Sequence, residues 1–200
     1  MIAHLRGKLL EKHPNQVIVD IGGVGYDVTI PVSTYSSLSE AGSEVRLRVY
    51  THVREDAIQL FGFLTSEEKT VFERLISVSG IGPKAAITIL SGLATADLVA
   101  AIRESAVERL VRIPGVGKKT AERMVLELKD KLDLLPGAPR ATASTVPGDA
   151  LSPVEQDVLS ALLNLGCQRA AAETAVRKAR ASGAGTDFEP LFRKALELVR

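Results

Sequence analysis

Residues 74–86 read RLISVSGIGPKAA and residues 109–121 read RLVRIPGVGKKTA, so one pattern recurs after 35 positions. Arg, Leu, both glycines, Lys and Ala are identical at matching positions, and three further positions exchange Ile with Val. In each copy an amphipathic stretch leads to Gly-aliphatic-Gly, and a basic residue follows where a second helix would begin. The repeat predicts two hairpins of paired helices that share one geometry.

The glycines and basic residues of both copies predict two binding sites for phosphate groups. Glycine permits a tight turn and a close approach of the backbone to another surface, while the free amide groups of a helix start attract anions. Two sites at a fixed spacing suit a polymer with regularly spaced phosphates better than one small ligand. The alternative is that the glycines only turn the chain. The candidate phosphate-binding residues are Gly80, Gly82, Lys84, Gly115, Gly117, Lys118, Lys119 and Arg123.

Neither hairpin matches a nucleotide-binding loop. A G-x-x-x-x-G-K-S/T loop would need glycine at the position of Arg112 and Ser or Thr at that of Lys119. A dinucleotide-binding turn would need a third glycine, but Ala85 and Thr120 stand at the two corresponding positions. We therefore expect no nucleotide cofactor, and the sequence indicates no metal or other cofactor.

The first 63 residues alternate with the period of β-strands. Tyr26–Ile30 and Val45–Val53 alternate apolar and polar residues, and Gly22–Gly25 and Pro31 interrupt the pattern. About five strands in so short a segment suit a small closed barrel, because closure removes exposed sheet edges. We expect this segment to form a barrel of the oligonucleotide-binding (OB) type.

The rest of the chain predicts helices on both sides of a linker. Thr65 followed by Glu68 is a capping box, and helical spacing continues from there to about residue 135. The stretch PGAPRATASTVPGDA at 136–150 is typical of a flexible linker. The expected fold class is α+β and multi-domain. It comprises an OB-type barrel (1–63), a tandem helix-hairpin-helix domain (64–135), the linker (136–150) and a three-helix, UBA-like module (151–200).

Composition restricts the partners and the compartment. The chain has 25 Lys and Arg against 24 Asp and Glu, a net charge of +1, so any contact with nucleic acid must be local. Aromatic residues make up 4%, too few for a protein that holds single strands by stacking bases on rings. A single cysteine, Cys167, excludes a disulfide framework. With no signal peptide or membrane span evident, we expect a cytoplasmic protein without a membrane partner.

An acidic pair marks the tip of a predicted hairpin. Glu55 and Asp56 lie between two strand-like runs, with Arg54 beside them. A solvated polar turn is the simplest interpretation. A metal or acid–base site is the second, although no third carboxylate or histidine motif is near. The third is that the acidic charge faces phosphates and pushes DNA backbones apart, because like charges repel.

The order of barrel, paired hairpins, proline-rich linker and helical module resembles the RuvA family of Holliday junction branch migration subunits over essentially the full chain. The resemblance implies that both hairpins grip duplex backbones through the candidate residues above. It implies that Glu55 and Asp56, with Arg54 nearby, form an acidic pin at the junction crossover. The motifs that carry it are MIAHLRG (1–7), DIGGVGYDV (20–28), HVREDAIQLFGF (52–63), SGIGPKAA (79–86), IPGVGKKTAERM (113–124) and LNLGCQRAAAETAV (163–176).

The same resemblance implies partners. It implies a homotetramer that holds a four-way junction open and planar, with one or two tetramers on each junction. Residues 151–200 would contact the RuvB ATPase, and the RuvC resolvase would be a further partner. ATP hydrolysis would then belong to a partner, and this chain would not be an enzyme. Two other functions stay open: a metal-dependent, structure-selective nuclease that uses the acidic hairpin, and a protein-only oligomeric scaffold.

Overall fold

The chain divides into two units, residues 1–140 and 141–200. The structure is a computed structural model and describes residues 1–129, 131–132, 151–183 and 187–199. The predicted linker at 136–150 lies outside the described residues. The fold class predicted from the sequence is confirmed, since a small barrel precedes two helical hairpins in the first unit and the second unit is helical.

Five strands close the barrel of the first unit. Their order around the barrel is β1-β2-β3-β5-β4, and β4 pairs back to β1. Strands β3 and β5 run parallel, while the other neighbours are antiparallel. Alternate side chains such as Val17 and Val19 are fully buried inside, as the period-two pattern predicts. The strands are β1 (His4–His13), β2 (Gln16–Ile21), β3 (Val24–Thr29), β4 (Glu44–Val53) and β5 (Ile58–Phe63).

The two copies of the repeat have matching backbone hydrogen bonds. In each, the residue between the two glycines donates to the carbonyl three positions earlier: Ile81 to Val78 at 3.1 Å, and Val116 to Ile113 at 3.0 Å. All four of these side chains are buried in one helical core. The predicted repeat is therefore a repeat of structure. The helices of the first unit are α1 (Val32–Ser37), α2 (Ser66–Ile76), α3 (Pro83–Gly92), α4 (Thr95–Arg103), α5 (Val107–Val111) and α6 (Lys118–Leu128).

An aromatic cluster joins the barrel to the helices. The ring of Phe72 on α2 lies 5.4 Å from Tyr50, 5.3 Å from Phe61 and 4.9 Å from Phe63, measured between centroids. All three phenylalanines are almost completely buried. The two from strand β5 thus belong to the helical core, so barrel and hairpins share one interior. Buried rings also cannot stack on bases.

The second unit is a bundle of three helices. Its first helix begins with a capping box, in which Ser152 donates its amide to Glu155 at 2.7 Å and accepts that residue's amide at 3.3 Å. The buried Glu155 carboxylate also pairs with Arg180 at 3.4 Å. Gly166 and Gly183 have φ values of 87° and 74° and follow helix ends, where glycine adopts the left-handed conformation readily. The helices are α7 (Pro153–Asn164), α8 (Arg169–Ala181) and α9 (Phe188–Val199).

No single helix among the described residues is long and apolar enough to cross a membrane. Helices α3 and α4 reach that length and composition only together, and they bend by 98° where they meet. Their apolar side chains, among them Leu90, Leu98 and Ile102, lie buried in the helical core.

Replacing Phe72 with Ala should destabilise the first unit by about 3–5 kcal/mol, because it leaves a cavity at the joint between barrel and helices. Tyrosine fluorescence during urea unfolding measures this, since all three tyrosines, Tyr26, Tyr35 and Tyr50, lie in the first unit. The control is Leu126→Ala on an exposed site of α6, which should change stability by less than about 0.5 kcal/mol. If both variants unfolded at the same urea concentration, Phe72 would not hold the barrel and the helices together.

Candidate nucleic-acid interface

The first glycine of each hairpin adopts a backbone conformation that other residues avoid. Gly80 has φ 90° and Gly115 has φ 81°, both in the left-handed region. A side chain there would clash with its own backbone, which costs roughly 1–2 kcal/mol. These two glycines are thus needed to make the turn itself.

The second glycine of each hairpin is not required by anything inside the chain. Gly82 and Gly117 are the N-cap residues of α3 and α6, with ordinary φ values of −88° and −81°. A Cβ atom added to either would meet no other atom within 4 Å. Both residues are exposed. A glycine that the fold does not demand suits a surface that another molecule must approach closely.

The starts of α3 and α6 differ electrostatically from those of α2, α4 and α5. Helices α2, α4 and α5 carry a carboxylate in the first turn, which offsets the positive end of the helix dipole. Helices α3 and α6 carry none, and their glycine caps make no side-chain hydrogen bond. Instead, Lys84, Lys118 and Lys119 are exposed there, and within the described residues no ion pair holds them. Both starts therefore present amides and positive charge to solvent.

Arg123 connects the two hairpins. Its Nη1 donates a hydrogen bond to the backbone carbonyl of Ser79 at 3.2 Å, and it lies 3.7 Å from the place a Cβ of Gly80 would occupy. The sequence predicts a phosphate contact for this arginine. The structure places it on α6 facing the first hairpin, so it also ties the second hairpin to the first.

The acidic pair lies at the tip of the β4–β5 hairpin, as predicted. The amide of Arg54 donates to the carbonyl of Ala57 at 2.8 Å and closes the turn. Glu55 and Asp56 are the two residues between them, and both are exposed. The side chain of Arg54 donates through Nε to His52 Nε2 at 3.0 Å, which holds the guanidinium beside the strand.

A cleft of about 270 Å³ separates the acidic tip from the first hairpin. It brings Asp56 and Arg54 opposite Lys84 and Gly82, whereas Glu55 and the second hairpin do not line it. Gln59 also lines it, and sequence reasoning missed this residue. Its signal was available, because Gln59 is the one polar side chain in the strand IQLFGF. The lining residues are Arg54, Asp56, Ala57, Gln59, Gly82, Pro83, Lys84 and Ala85.

A metal site at the acidic tip finds no support in the arrangement of side chains. Among the described residues, no group of three or more His, Cys, Asp or Glu could hold a metal ion. Two adjacent carboxylates without a third ligand are a poor site for Mg²⁺ or Ca²⁺.

Comparisons with known proteins match the chain over its whole length. Residues 1–62 match the model of the RuvA N terminal domain, and residues 72–130 match that of the SAM-like helix-hairpin-helix tandem. Three relatives carry the name Holliday junction branch migration complex subunit RuvA. The protein of Solibacter usitatus is 68% identical and that of Acidobacterium capsulatum 59%, each with 100% of both chains covered. The protein of Geobacter metallireducens is 50% identical over 100% of this chain and 99% of its own.

Serine substitutions should separate the two kinds of glycine. Gly80→Ser should destabilise the first unit by about 1–2 kcal/mol, because a side chain is strained at positive φ. Gly82→Ser should leave stability within about 0.5 kcal/mol of the parent, because serine is a good N-cap, yet it should weaken binding to duplex DNA. Urea unfolding and fluorescence anisotropy measure the two effects. If both variants lose the same stability, the fold and not an external surface demands Gly82.

Proposed function

This chain belongs to the RuvA family, and on that premise we propose that it is the DNA-binding subunit of a branch migration complex. It binds four-way (Holliday) junctions, holds them open and planar, and recruits an ATPase motor of the RuvB kind in recombination and DNA repair. The observation that carries the proposal is the pair of open helix starts, of which the start of α3 shares a cleft with the acidic tip. The chain is not an enzyme, because ATP hydrolysis belongs to the motor.

The two hairpins contact the phosphate backbone of a duplex arm. Amides at the starts of α3 and α6 donate to phosphate oxygens, and the lysines supply the balancing charge. Contacts of this kind position a protein on DNA without reading its sequence. Selectivity comes from the shape of the junction. The contacts assigned to DNA are those of Gly80, Gly82, Lys84, Gly115, Gly117, Lys118, Lys119 and Arg123.

The acidic tip acts as a pin at the crossover. Asp56 and Lys84 line the same cleft, so attraction and repulsion of phosphates occur side by side. A DNA backbone that binds Lys84 stays on the Lys84 side of the cleft, because the carboxylates of Glu55 and Asp56 repel its phosphates. The pin thus disfavours a continuous duplex across the centre and helps to keep the four arms apart.

The assembly we propose is a homotetramer, of which one or two copies hold each junction. Fourfold symmetry presents the same surface to each of four arms, so one pair of hairpins per chain suffices. A resolvase of the RuvC kind is a further partner on the same junction. A chromosomal substrate places this activity in the cytoplasm.

The second unit is the contact for the motor. Residues 141–200 form a unit of their own, and the contact that we assign to the motor, residues 151–200, lies within it. Apolar side chains are exposed on this unit, namely Leu165, Phe188, Leu196 and Leu198. Exposed apolar groups of this kind favour a protein partner over DNA. This supports an assignment in which the first unit holds DNA and the second holds the ATPase.

Replacing Lys118 and Lys119 with Ala should weaken junction binding and flatten its salt dependence. The slope of log Kobs against log salt should fall by roughly two for each chain that contacts the junction, because each lysine releases about one counterion. Anisotropy titrations of a labelled four-way junction at several salt concentrations measure this slope.

The charge-matched control is Lys178→Ala with Lys194→Ala, which removes two positive charges from the second unit. It should leave the salt slope unchanged in the absence of the motor. An unchanged slope for the Lys118 and Lys119 variant would refute the phosphate assignment.

Replacing Glu55 with Gln and Asp56 with Asn should reduce the preference for a junction over a linear duplex, because the repulsion at the tip is removed while the hairpins stay intact. The ratio of the two dissociation constants at matched salt measures this preference. A ratio equal to that of the parent would show that the tip has no role in selectivity. Cleavage of the junction by the purified chain with Mg²⁺ would instead favour the nuclease.

A further inference from the structure

The short helix α1 carries three consecutive hydrogen bonds that cross from the barrel to the helical hairpins. The amide of Val32 donates to Ser91 Oγ on α3 at 3.0 Å. The hydroxyls of Ser33 and Thr34 donate to the two carboxylate oxygens of Glu68 on α2, at 2.8 Å and 3.3 Å. This six-residue helix connects β3 to β4, so it belongs to the barrel by sequence and is bonded to two helices of the hairpin domain.

The carboxylate of Glu68 is the centre of this contact. It is 9% exposed, and besides the two hydroxyls it accepts the amides of Leu64 and Thr65 at 3.2 Å and 3.4 Å. The bond from the Thr65 amide completes the capping box of α2, and the bond from the Leu64 amide comes from the residue just before that cap. The bonds from Ser33 and Thr34 are not needed for capping. Their role must lie in the contact between the two parts of the first unit.

Helix α3 carries the constraint from α1 to the cleft. Ser91 lies in its last turn, and Gly82 and Lys84 lie at its start, where they line the cleft. Because an α-helix is stiff over ten residues, fixing one end relative to the barrel also fixes the other. The opposite wall of the cleft, which includes Asp56, is part of the β4–β5 hairpin of that same barrel.

We propose that α1 is a strut, in which Ser33 and Thr34 with Glu68, and Ser91 with the Val32 amide, are positioning contacts that set the width of the cleft between the acidic tip and the first hairpin. The inference rests on the proposed function, because it concerns how that function selects its substrate. The repulsion of a phosphate by Asp56 weakens as the distance grows, whereas the contact at the start of α3 is local. The strut therefore controls selectivity for the junction more than affinity for a duplex.

The test is the triple variant Ser33→Ala, Thr34→Val and Ser91→Ala, which removes the three crossing bonds and leaves the capping box of α2 intact. The junction-to-duplex affinity ratio should fall roughly five- to tenfold, the range expected when a few hydrogen bonds are lost. Affinity for duplex alone should change less than about twofold. Should the triple variant fail to fold, Ser91→Ala alone makes the same prediction with a smaller effect.

A matched control loses similar bonds without crossing between the parts. Ser37→Ala removes a hydroxyl bond to a carbonyl within α1, and Thr70→Val removes one within α2. This double variant should retain the selectivity of the parent. A further readout is the double-mutant cycle with Glu55→Gln and Asp56→Asn. Once the acidic tip is neutral, the strut substitutions should no longer change selectivity.

The width of the cleft can be measured directly by pulsed electron spin resonance. Spin labels at cysteines replacing Ile58 on the β4–β5 hairpin and Thr88 on α3, in a Cys167→Ser background and diluted with unlabelled chain, report the distance across the cleft. The distribution should be narrow with the strut intact and broader in the triple variant.

The outcomes separate the strut from the function on which it rests. A broader distance distribution with unchanged selectivity overturns the proposal, as does a fall in selectivity with an unchanged distribution. An equal loss of junction selectivity in the Ser37→Ala, Thr70→Val control also overturns it. So do additive effects on selectivity in the double-mutant cycle. If the parent chain itself shows no preference for a junction, the proposed function fails and the strut with it.

Discussion

The first amide groups of an α-helix have no carbonyl partner within the helix, and each helix start in this chain meets that constraint in its own way. Helices α2 and α7 use capping boxes. Helix α1 has no side-chain cap of its own, and a hydroxyl from α3 accepts its first amide. Helices α3 and α6 begin at N-cap glycines, which have no side chain to accept these amides, and they carry lysines where α2, α4 and α5 carry carboxylates. Those two starts are the copies of the repeat, and the proposed interface for DNA is built on them.

This arrangement explains how a chain with a net charge of only +1 can bind DNA. Because 25 positive side chains are nearly balanced by 24 negative ones, the chain as a whole exerts little net attraction on DNA. In the proposed interface, the attraction for DNA is concentrated at two helix starts, where the amides add to the lysines. In the same proposal, the carboxylates at the hairpin tip repel phosphates, and Asp56 does so from across the cleft. Phosphate binding that is local and limited by nearby negative charge suits a protein that recognises the shape of DNA and lets the arms of a junction move.

The aromatic cluster and the strut do different work at the same joint. Phe72 and its three ring neighbours bury apolar surface, which is strong but tolerant of small rotations. The hydrogen bonds of Glu68 are directional and depend on both distance and angle. The cluster therefore accounts for the cohesion of barrel and hairpins, and the polar contacts account for their orientation.

Most of the fold could be predicted because its signals are local. Strand alternation, the capping pairs Thr65–Glu68 and Ser152–Glu155, and the repeated glycines each act within a few residues. Helix α1 was not predicted, since VSTYSS lacks a helical period and its start is completed by a serine far along the chain. The bond from Arg123 to Ser79 escaped prediction for a similar reason, because Ser79 precedes the first Gly-x-Gly turn and Arg123 follows the second, 44 residues along the chain.

The amino-acid sequence by itself determined that the chain has two Gly-x-Gly turns followed by lysines and one acidic hairpin tip, because each is formed by consecutive residues with their own backbone preferences. Only the tertiary structure decided that the tip faces the first turn and not the second, and that Gln59 lies between them. That placement depends on strand pairing, on the packing around Phe72 and on the bonds of α1. These contacts join residues distant along the chain, and no local pattern records which distant partners will meet.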